Sequence, residues 1–136
     1  MTTPKTRLLP AIARFVMGIP LVVFGLNLFL NFIPQPKTPI APGALALAGA
    51  LMGSGYIMPL IGLTLLVVGL TLVSNRFVPL GLALFAPFIV HSICFHLFLE
   101  HTGLPMAGIF LVLELYLAWA YRAAYRTMLA ARVEPS

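Results

Sequence analysis

The chain has 136 residues, of which 61% are hydrophobic and only 8% are charged. A soluble domain carries about 25% charged residues because its surface faces water, so this composition excludes an ordinary water-soluble domain. The net charge is +5, but the basic residues stand at the ends of apolar segments, which is typical of membrane topology and does not indicate nucleic-acid binding. We predict one all-α integral membrane domain over residues 1–136, with the lipid bilayer as its main partner.

The first apolar segment is predicted to span the membrane at about residues 12–33, since a span needs about 20 mostly apolar residues. It is longer than the apolar core of a cleaved signal peptide, so we expect a permanent span. Residues 34–42, PQPKTPIAP, contain four prolines. Because proline lacks a backbone N–H and clashes with the preceding helical turn, this stretch is predicted to be a loop.

The apolar stretch at residues 43–75 is too long for one simple span. At 1.5 Å per residue, a helix of this length would extend about 50 Å, against a hydrocarbon core of about 30 Å. The Gly53-Ser54-Gly55 break therefore divides it into a short interfacial or re-entrant helix at about 43–52 and a second span at about 56–74. Gly49 and Gly53 have the GxxxG spacing, which mildly favours close helix packing there.

The third span is predicted at about residues 77–99 and the fourth at about 106–125. Only Asn75-Arg76 separates the second and third spans, so these two helices should pack antiparallel. The predicted fold class is therefore an integral membrane four-helix bundle, with a short extra helix between spans one and two.

The orientation follows from the basic residues in the short loops, because Lys and Arg are enriched on the cytoplasmic side. An even number of spans places seven basic residues on one side and only Lys37 on the other. Both termini are therefore predicted to be cytoplasmic. The residues expected to act as topology anchors are Arg14, Arg76, Arg122 and Arg126.

Five polar residues within the apolar spans are the candidate ligand-binding residues: Asn27, Asn31, His91, His96 and Glu114. Ionisable groups within a span cost at least about 2.5–3.5 kcal/mol and are functional candidates by default. Counting helical rise from the predicted outer ends places Asn27, His91 and Glu114 in one layer, about 9–12 Å deep in the outer leaflet. The hypothesis is an outward-opening polar pocket, in which Glu114 is the anion or proton acceptor, one histidine is its proton partner, and Asn27 donates a hydrogen bond.

His91 and His96 differ by about 140° around their helix, so both cannot point straight inward and only one is expected to pair with Glu114. The alternative is a buried hydrogen-bonded cluster that only fixes helix packing. His91, His96, His101 and Glu114 could together supply metal ligands, but their spacing matches no standard motif and no metal is expected.

The chain resembles the DoxX-like family of small four-helix bacterial membrane proteins. The resemblance covers roughly residues 11–129 and rests on the order and spacing of five stretches: FGLNLF (24–29), GYxxPL (55–60), RFVPLGL (76–82), FHLFL (95–99) and LELYLAWAYR (113–122). It implies a four-helix bundle in the bacterial cytoplasmic membrane. Many relatives carry a Lys and a Glu in the second span, where this chain has Gly62 and Leu65, so a role that depends on that pair is not implied here.

Some members of the family are subunits of quinone-linked or thiol- and sulfur-linked oxidoreductase systems. The resemblance thus implies a redox-complex subunit, accessory rather than catalytic on its own, that binds a quinone or similar amphiphile or positions a partner protein. Two alternatives stay open: a small-solute or proton-coupled carrier, and a structural membrane protein without a ligand. A homodimer is also compatible with so little polar surface.

Overall fold

The computed structural model describes residues 4–35 and 37–136, and every regular element in them is helical. The helices are α1 (Pro4–Leu30), α2 (Pro42–Gly53), α3 (Ile57–Ser74), α4 (Val78–Phe98) and α5 (Leu104–Ala120), with short 3₁₀ turns at His101–Gly103 and Arg122–Tyr125. Four segments are long and apolar enough to cross a membrane: Arg7–Leu30, Ile57–Ser74, Val78–Phe98 and His101–Ala120. The all-helical prediction is thereby confirmed, as are four candidate spans and a short apolar helix after the first.

Two helices end several residues before the ends of the predicted spans. α1 stops at Leu30, and Asn31 has a φ of 49°, which is left-handed backbone that asparagine tolerates better than most residues. α5 ends at Ala120, and Tyr121 leads into a 3₁₀ turn instead of continuing the predicted span to residue 125. Asn31 therefore lies outside the helix in which it was expected.

α1 and α3 pack against each other through four glycines. Gly18 and Gly25 are seven residues apart on α1, and so are Gly62 and Gly69 on α3, which places each pair on one helix face about two turns apart. Gly25 lies against the backbone of Gly62, and Gly69 against that of Gly18. The two helices are therefore antiparallel and in backbone contact.

The core is apolar and lies between α1, α3, α4 and α5. Its fully buried large side chains are Met17, Val68, Leu72, Val78, Leu82, Phe85 and Leu117. The outward faces of the same helices are also apolar: Leu63, Val112 and Leu115 are each more than half exposed. A helix that is hydrophobic on all sides is typical of a buried or membrane-spanning helix.

The two ends of the bundle differ in chemistry. At one end, here called the arginine end, Arg14 bonds to Leu72 across α1 and α3, and the Tyr121 hydroxyl lies 3.2 Å from Asn75. At the other end, here called the loop end, the backbone N–H of Ala41 donates to the carboxylate of Glu100. The helices that could span a membrane run alternately between these ends.

Candidate functional site

A cavity of about 410 Å³ opens at the loop-end half of the bundle, and all five helices contribute to its wall. Part of its apolar lining comes from residues of the buried core, namely Leu21, Leu65, Phe85, Ile89 and Phe110. The polar side chains on its wall are Asn27, His91, Ser92 and His96. The cavity therefore combines a long apolar body with a few polar groups near the loop end, as small-molecule sites generally do.

The side chain of Asn27 is held by the loop that follows α1. Its Oδ1 accepts a hydrogen bond of 2.7 Å from the backbone N–H of Ile33, while the Asn27 carbonyl accepts one from Asn31 N–H. Since Oδ1 already has a partner, the amide nitrogen is the group with which Asn27 can donate to a molecule in the cavity.

The ring of His96 is fixed by three contacts. Its Nδ1 lies 2.9 Å from the carbonyl oxygen of Glu100, and the edge of the ring meets Phe95 at a centroid distance of 5.2 Å. The ring also covers Gly103, where a Cβ would overlap it. Because a carbonyl oxygen only accepts, Nδ1 carries the proton in this bond, and Nε2 of the neutral ring is then an acceptor.

His91 lies on the same wall of α4 but is more exposed than His96. Its ring centroid is 6.4 Å from that of Phe95, so Phe95 contacts both histidine rings. The cavity is broad enough for both histidines to line it, although they are five residues apart. The sequence argument left open which of the two faces the interior, and both reach the cavity wall.

Glu100 joins the short helix α2 to the rest of the site. Its Oε2 accepts from the N–H of Ala41 at 3.3 Å, and its Oε1 accepts from the N–H and the hydroxyl of Thr102 at 3.2 and 2.7 Å. α2 in turn contributes Ala48 and Leu51 to the cavity wall. Glu100 therefore positions both α2 and His96, a role that sequence reasoning missed because Ala41 is 59 residues away along the chain.

The contact between Glu100 and α2 is expected to depend on pH. Hydrogen bonds from Thr102 and Ala41 hold the pKa of Glu100 below its ordinary value of 4.5. Because the pKa of Glu100 is lowered in the folded protein, its ionised carboxylate stabilises the contact with α2 fully above pH 4.5. This stabilisation is lost as the pH falls through the lower pKa of the folded state. We expect the Ala41 amide to exchange faster with solvent on acidification, after correction for intrinsic exchange rates.

Hydrogen exchange on the Glu100→Gln variant checks this prediction, because glutamine does not titrate. Glu134→Gln is the matched control, since Glu134 is exposed and lies in the C-terminal tail. An unchanged pH dependence at Ala41 in Glu100→Gln would contradict the assignment.

Glu114 does not line the cavity, contrary to the hypothesis that placed it beside Asn27 and His91. It lies six residues before the end of α5 at Ala120, about 9 Å from the arginine end, because the helix is shorter than the predicted span. Burial raises the pKa of Tyr125, which lies beyond that end of α5, and the negative charge of nearby Glu114 raises it further. Glu114 is therefore separate from the cavity that Asn27 and His91 line.

The expected pairing of Glu114 with a histidine is also not found. Glu114 is 5% exposed, and its Oε2 has no hydrogen-bond partner among the described residues. Asn31 is exposed and does not line the cavity either. Within residues 4–35 and 37–136, no three His, Cys, Asp or Glu side chains lie close enough to hold a metal ion, so His91, His96, His101 and Glu114 do not converge.

The predicted topology anchors fall into two groups at the arginine end. Arg76, Arg122 and Arg126 are exposed, and Arg122 lies over the ring of Trp119 at 4.5 Å. Arg14 is instead buried, with 8% of its surface exposed, and its Nη1 donates to the carbonyl oxygen of Leu72 at 3.1 Å.

Comparison with models of known families, with curated proteins and with solved structures found no match for this chain. The fold and cavity define a helical protein with four candidate membrane spans and a cavity whose lining is apolar except for a few polar side chains. The resemblance to the DoxX-like family stays a prediction, and the function is argued below from the cavity.

Proposed function

We propose that this protein is a DoxX-like multi-pass membrane protein that binds a quinone or a similar amphiphile in the loop-end cavity, as an accessory subunit of a membrane redox system. The observation that carries the proposal is the cavity itself, whose lining combines Asn27 from α1 and His91 and His96 from α4 with apolar side chains. Redox chemistry would belong to a partner protein, and this chain would bind and orient the amphiphile.

A lipid setting is supported by the exposed surface of the helices. Between 17% and 33% of the residues in the apolar windows of the four candidate spans are buried inside the protein. The remaining apolar surface would face water in a soluble monomer, whereas in a bilayer it faces hydrocarbon. The clustering of Arg76, Arg122 and Arg126 at one end supports an orientation with that end and both termini in the cytoplasm of a bacterial cell.

The size and lining of the cavity suit a ring-bearing amphiphile. Its volume of about 410 Å³ lies in the range of about 300–1,000 Å³ that is usual for small-molecule sites. Phe85, Phe88 and Phe110 present aromatic rings to the apolar body. An apolar ring and the start of a tail can therefore replace lipid in contact with these walls.

The polar groups offer one hydrogen-bond donor and one hydrogen-bond acceptor. A quinone that is reduced and reoxidised needs both, because its carbonyl accepts and the hydroxyl of the quinol donates. The amide nitrogen of Asn27 can donate to a quinone carbonyl, because its Oδ1 is already bonded to Ile33. The Nε2 of neutral His96 can accept from a quinol hydroxyl, because Nδ1 is already bonded to Glu100. The same two residues can thus serve both redox states of the amphiphile.

Binding of decylubiquinone to the purified protein in detergent tests the proposal. A ligand that binds only the folded state raises its thermal stability with concentration, so the melting temperature reports affinity. We expect His96→Ala to weaken the apparent affinity roughly tenfold, as loss of one good hydrogen bond does. His101→Ala is the matched control, because His101 is exposed, lies at the same end and does not line the cavity.

A second variant keeps the test decisive if His96→Ala folds poorly. Ala48→Phe places a ring in the cavity from α2, where residue 48 lines the wall, and is expected to block binding by volume alone. Retention of full binding by both His96→Ala and Ala48→Phe would overturn the proposal. Uptake of a solute by proteoliposomes that Ala48→Phe abolishes would favour the carrier alternative instead.

A further inference from the structure

Gly103 stands at the N-cap position of α5, where glycine is not the residue that best stabilises a helix. Ser, Asp and Asn cap a helix better, because a side-chain oxygen accepts from a free backbone N–H of the first turn. No side chain of the described residues makes such a bond to α5. Local helix stability therefore does not explain the glycine.

The backbone conformation of Gly103 does not require glycine either. Its φ is −86° and its ψ is −1°, which most residues adopt as the third residue of a type I turn. Glycine is needed chiefly where φ is positive, as at Gly55 with a φ of 79°. A side chain at residue 103 is thus compatible with the local backbone.

The ring of His96 occupies the space that a side chain at residue 103 would need. A Cβ there would lie 2.7 Å from Nε2 and closer still to Cε1 and Nδ1, so its three nearest atoms all belong to this ring. The ring packs directly against the backbone of Gly103. The contact with His96 therefore explains the glycine, which helix capping and backbone conformation do not.

The position of the ring decides which of its nitrogens a ligand can reach. Nδ1 lies 2.9 Å from the carbonyl oxygen of Glu100, so the turn from Glu100 to Gly103 supplies both this acceptor and the space for the ring. Nε2 has no hydrogen-bond partner among the described residues, and it is not one of the unpartnered side-chain atoms that are closed to solvent. Nε2 is therefore the nitrogen that His96 can offer to a molecule in the cavity.

We infer that Gly103 is a positioning residue for His96, because the absence of a side chain lets the ring stay on the Glu100 carbonyl with Nε2 free as the acceptor. A Cβ at residue 103 would move the ring and not the backbone, since a side chain rotates more easily than a helix end shifts. Moving the ring breaks the bond from Nδ1 to Glu100. The role of Nε2 in binding rests on the proposed function, whereas the position and tautomer of the ring do not.

NMR of the full-length protein with ¹⁵N-labelled histidine, in detergent and without ligand, tests the position of the ring. The ¹⁵N shifts of a neutral imidazole show which nitrogen carries the proton, and at about pH 8 histidine rings are mostly neutral. We expect the proton of His96 on Nδ1 in the unmodified protein and a loss of this signature in Gly103→Ala. The signal that disappears in His96→Ala assigns the residue.

Gly108→Ala is the matched control, because Gly108 also belongs to α5 and a Cβ there meets nothing within 4 Å. It should leave the His96 signals unchanged. Unchanged His96 signals in Gly103→Ala as well would overturn the inference.

A double-mutant cycle on decylubiquinone binding tests the consequence for the site. Gly103→Ala alone should weaken the apparent affinity roughly tenfold, as His96→Ala does, because both remove the same hydrogen bond. In the His96→Ala background, Gly103→Ala should change nothing further, since the ring that it displaces is absent. A second loss of similar size in that background would show that Gly103 acts without His96 and would overturn the inference.

The two measurements separate this inference from the proposed function. If the unmodified protein does not bind decylubiquinone, the proposed function fails, and the NMR comparison still decides whether Gly103 positions the ring. If Gly103→Ala does not fold, the variant that combines it with His96→Ala removes the overlap. Recovery of folding in that double variant supports the inference, and its failure to fold contradicts it.

Discussion

Gly69→Ala is expected to lower the free energy of unfolding by about 1–3 kcal/mol, the usual cost of adding a methyl group to a tightly packed site. The new Cβ would lie 2.8 Å from the backbone nitrogen of Val22 and 2.9 Å from the carbonyl oxygen of Gly18. These are backbone atoms, which cannot rotate out of the way as a side chain can, so α1 and α3 must move apart to remove the overlap. Unfolding by SDS in a mild detergent gives the measurement.

Gly25→Ala should behave in the same way, because its Cβ would meet the backbone of Leu66 and Gly62 at 2.8 and 2.9 Å. The matched control is Gly108→Ala in α5, where a Cβ meets nothing within 4 Å. Alanine is a better helix former than glycine by about 0.5–1 kcal/mol, so the control should be stabilised. Equal effects at Gly69 and Gly108 would contradict close packing of α1 on α3.

Glu114→Leu is expected to stabilise the protein by about 1–3 kcal/mol, the cost of leaving a buried polar group without a partner. Glu114 faces the core with Phe110 and Leu117, and its Oε2 has no partner among the described residues. Leucine fills a similar volume without this cost. Chemical unfolding of the two proteins side by side gives the sign of the change.

Binding of decylubiquinone should be unaltered in Glu114→Leu, because Glu114 does not line the cavity. Glu114→Gln serves as the control that removes the charge but keeps a polar group of the same size. Loss of binding in Glu114→Leu with unchanged stability would return Glu114 to the ligand site. Marked destabilisation would show that its carboxylate contributes a favourable interaction in the membrane.

The glycine spacing in the sequence predicted only part of the observed helix packing. The GxxxG spacing drew attention to Gly49 and Gly53, yet a Cβ at either would meet nothing within 4 Å. The contact is made instead by Gly18 and Gly25 with Gly62 and Gly69, two pairs with a spacing of seven. That spacing is visible in the sequence, but only the antiparallel pairing of α1 with α3 makes it meaningful.

The residues of the candidate site could likewise be predicted only in part. Asn27, His91 and His96 were selected as polar residues in apolar spans, and the structure brings these three to one cavity. Asn31 and Glu114 were selected by the same rule and lie elsewhere: Asn31 lies beyond the end of α1 at Leu30, and Glu114 lies ten residues after the start of α5 at Leu104. An error of a few residues in a helix end moves a side chain several ångströms along the axis and can change the face it occupies.

The helical class, the four apolar segments and the placement of basic residues toward one end could all be predicted from the amino-acid sequence. These properties depend on composition and local pattern, because a segment of about 20 apolar residues has few alternatives to a spanning helix. Three features became visible only once the helices were packed: Glu100 joins α2 to His96, Arg14 is buried, and Glu114 lies apart from the cavity. Those facts depend on the rotation and depth of each helix relative to its neighbours, which side-chain packing sets and hydropathy does not encode.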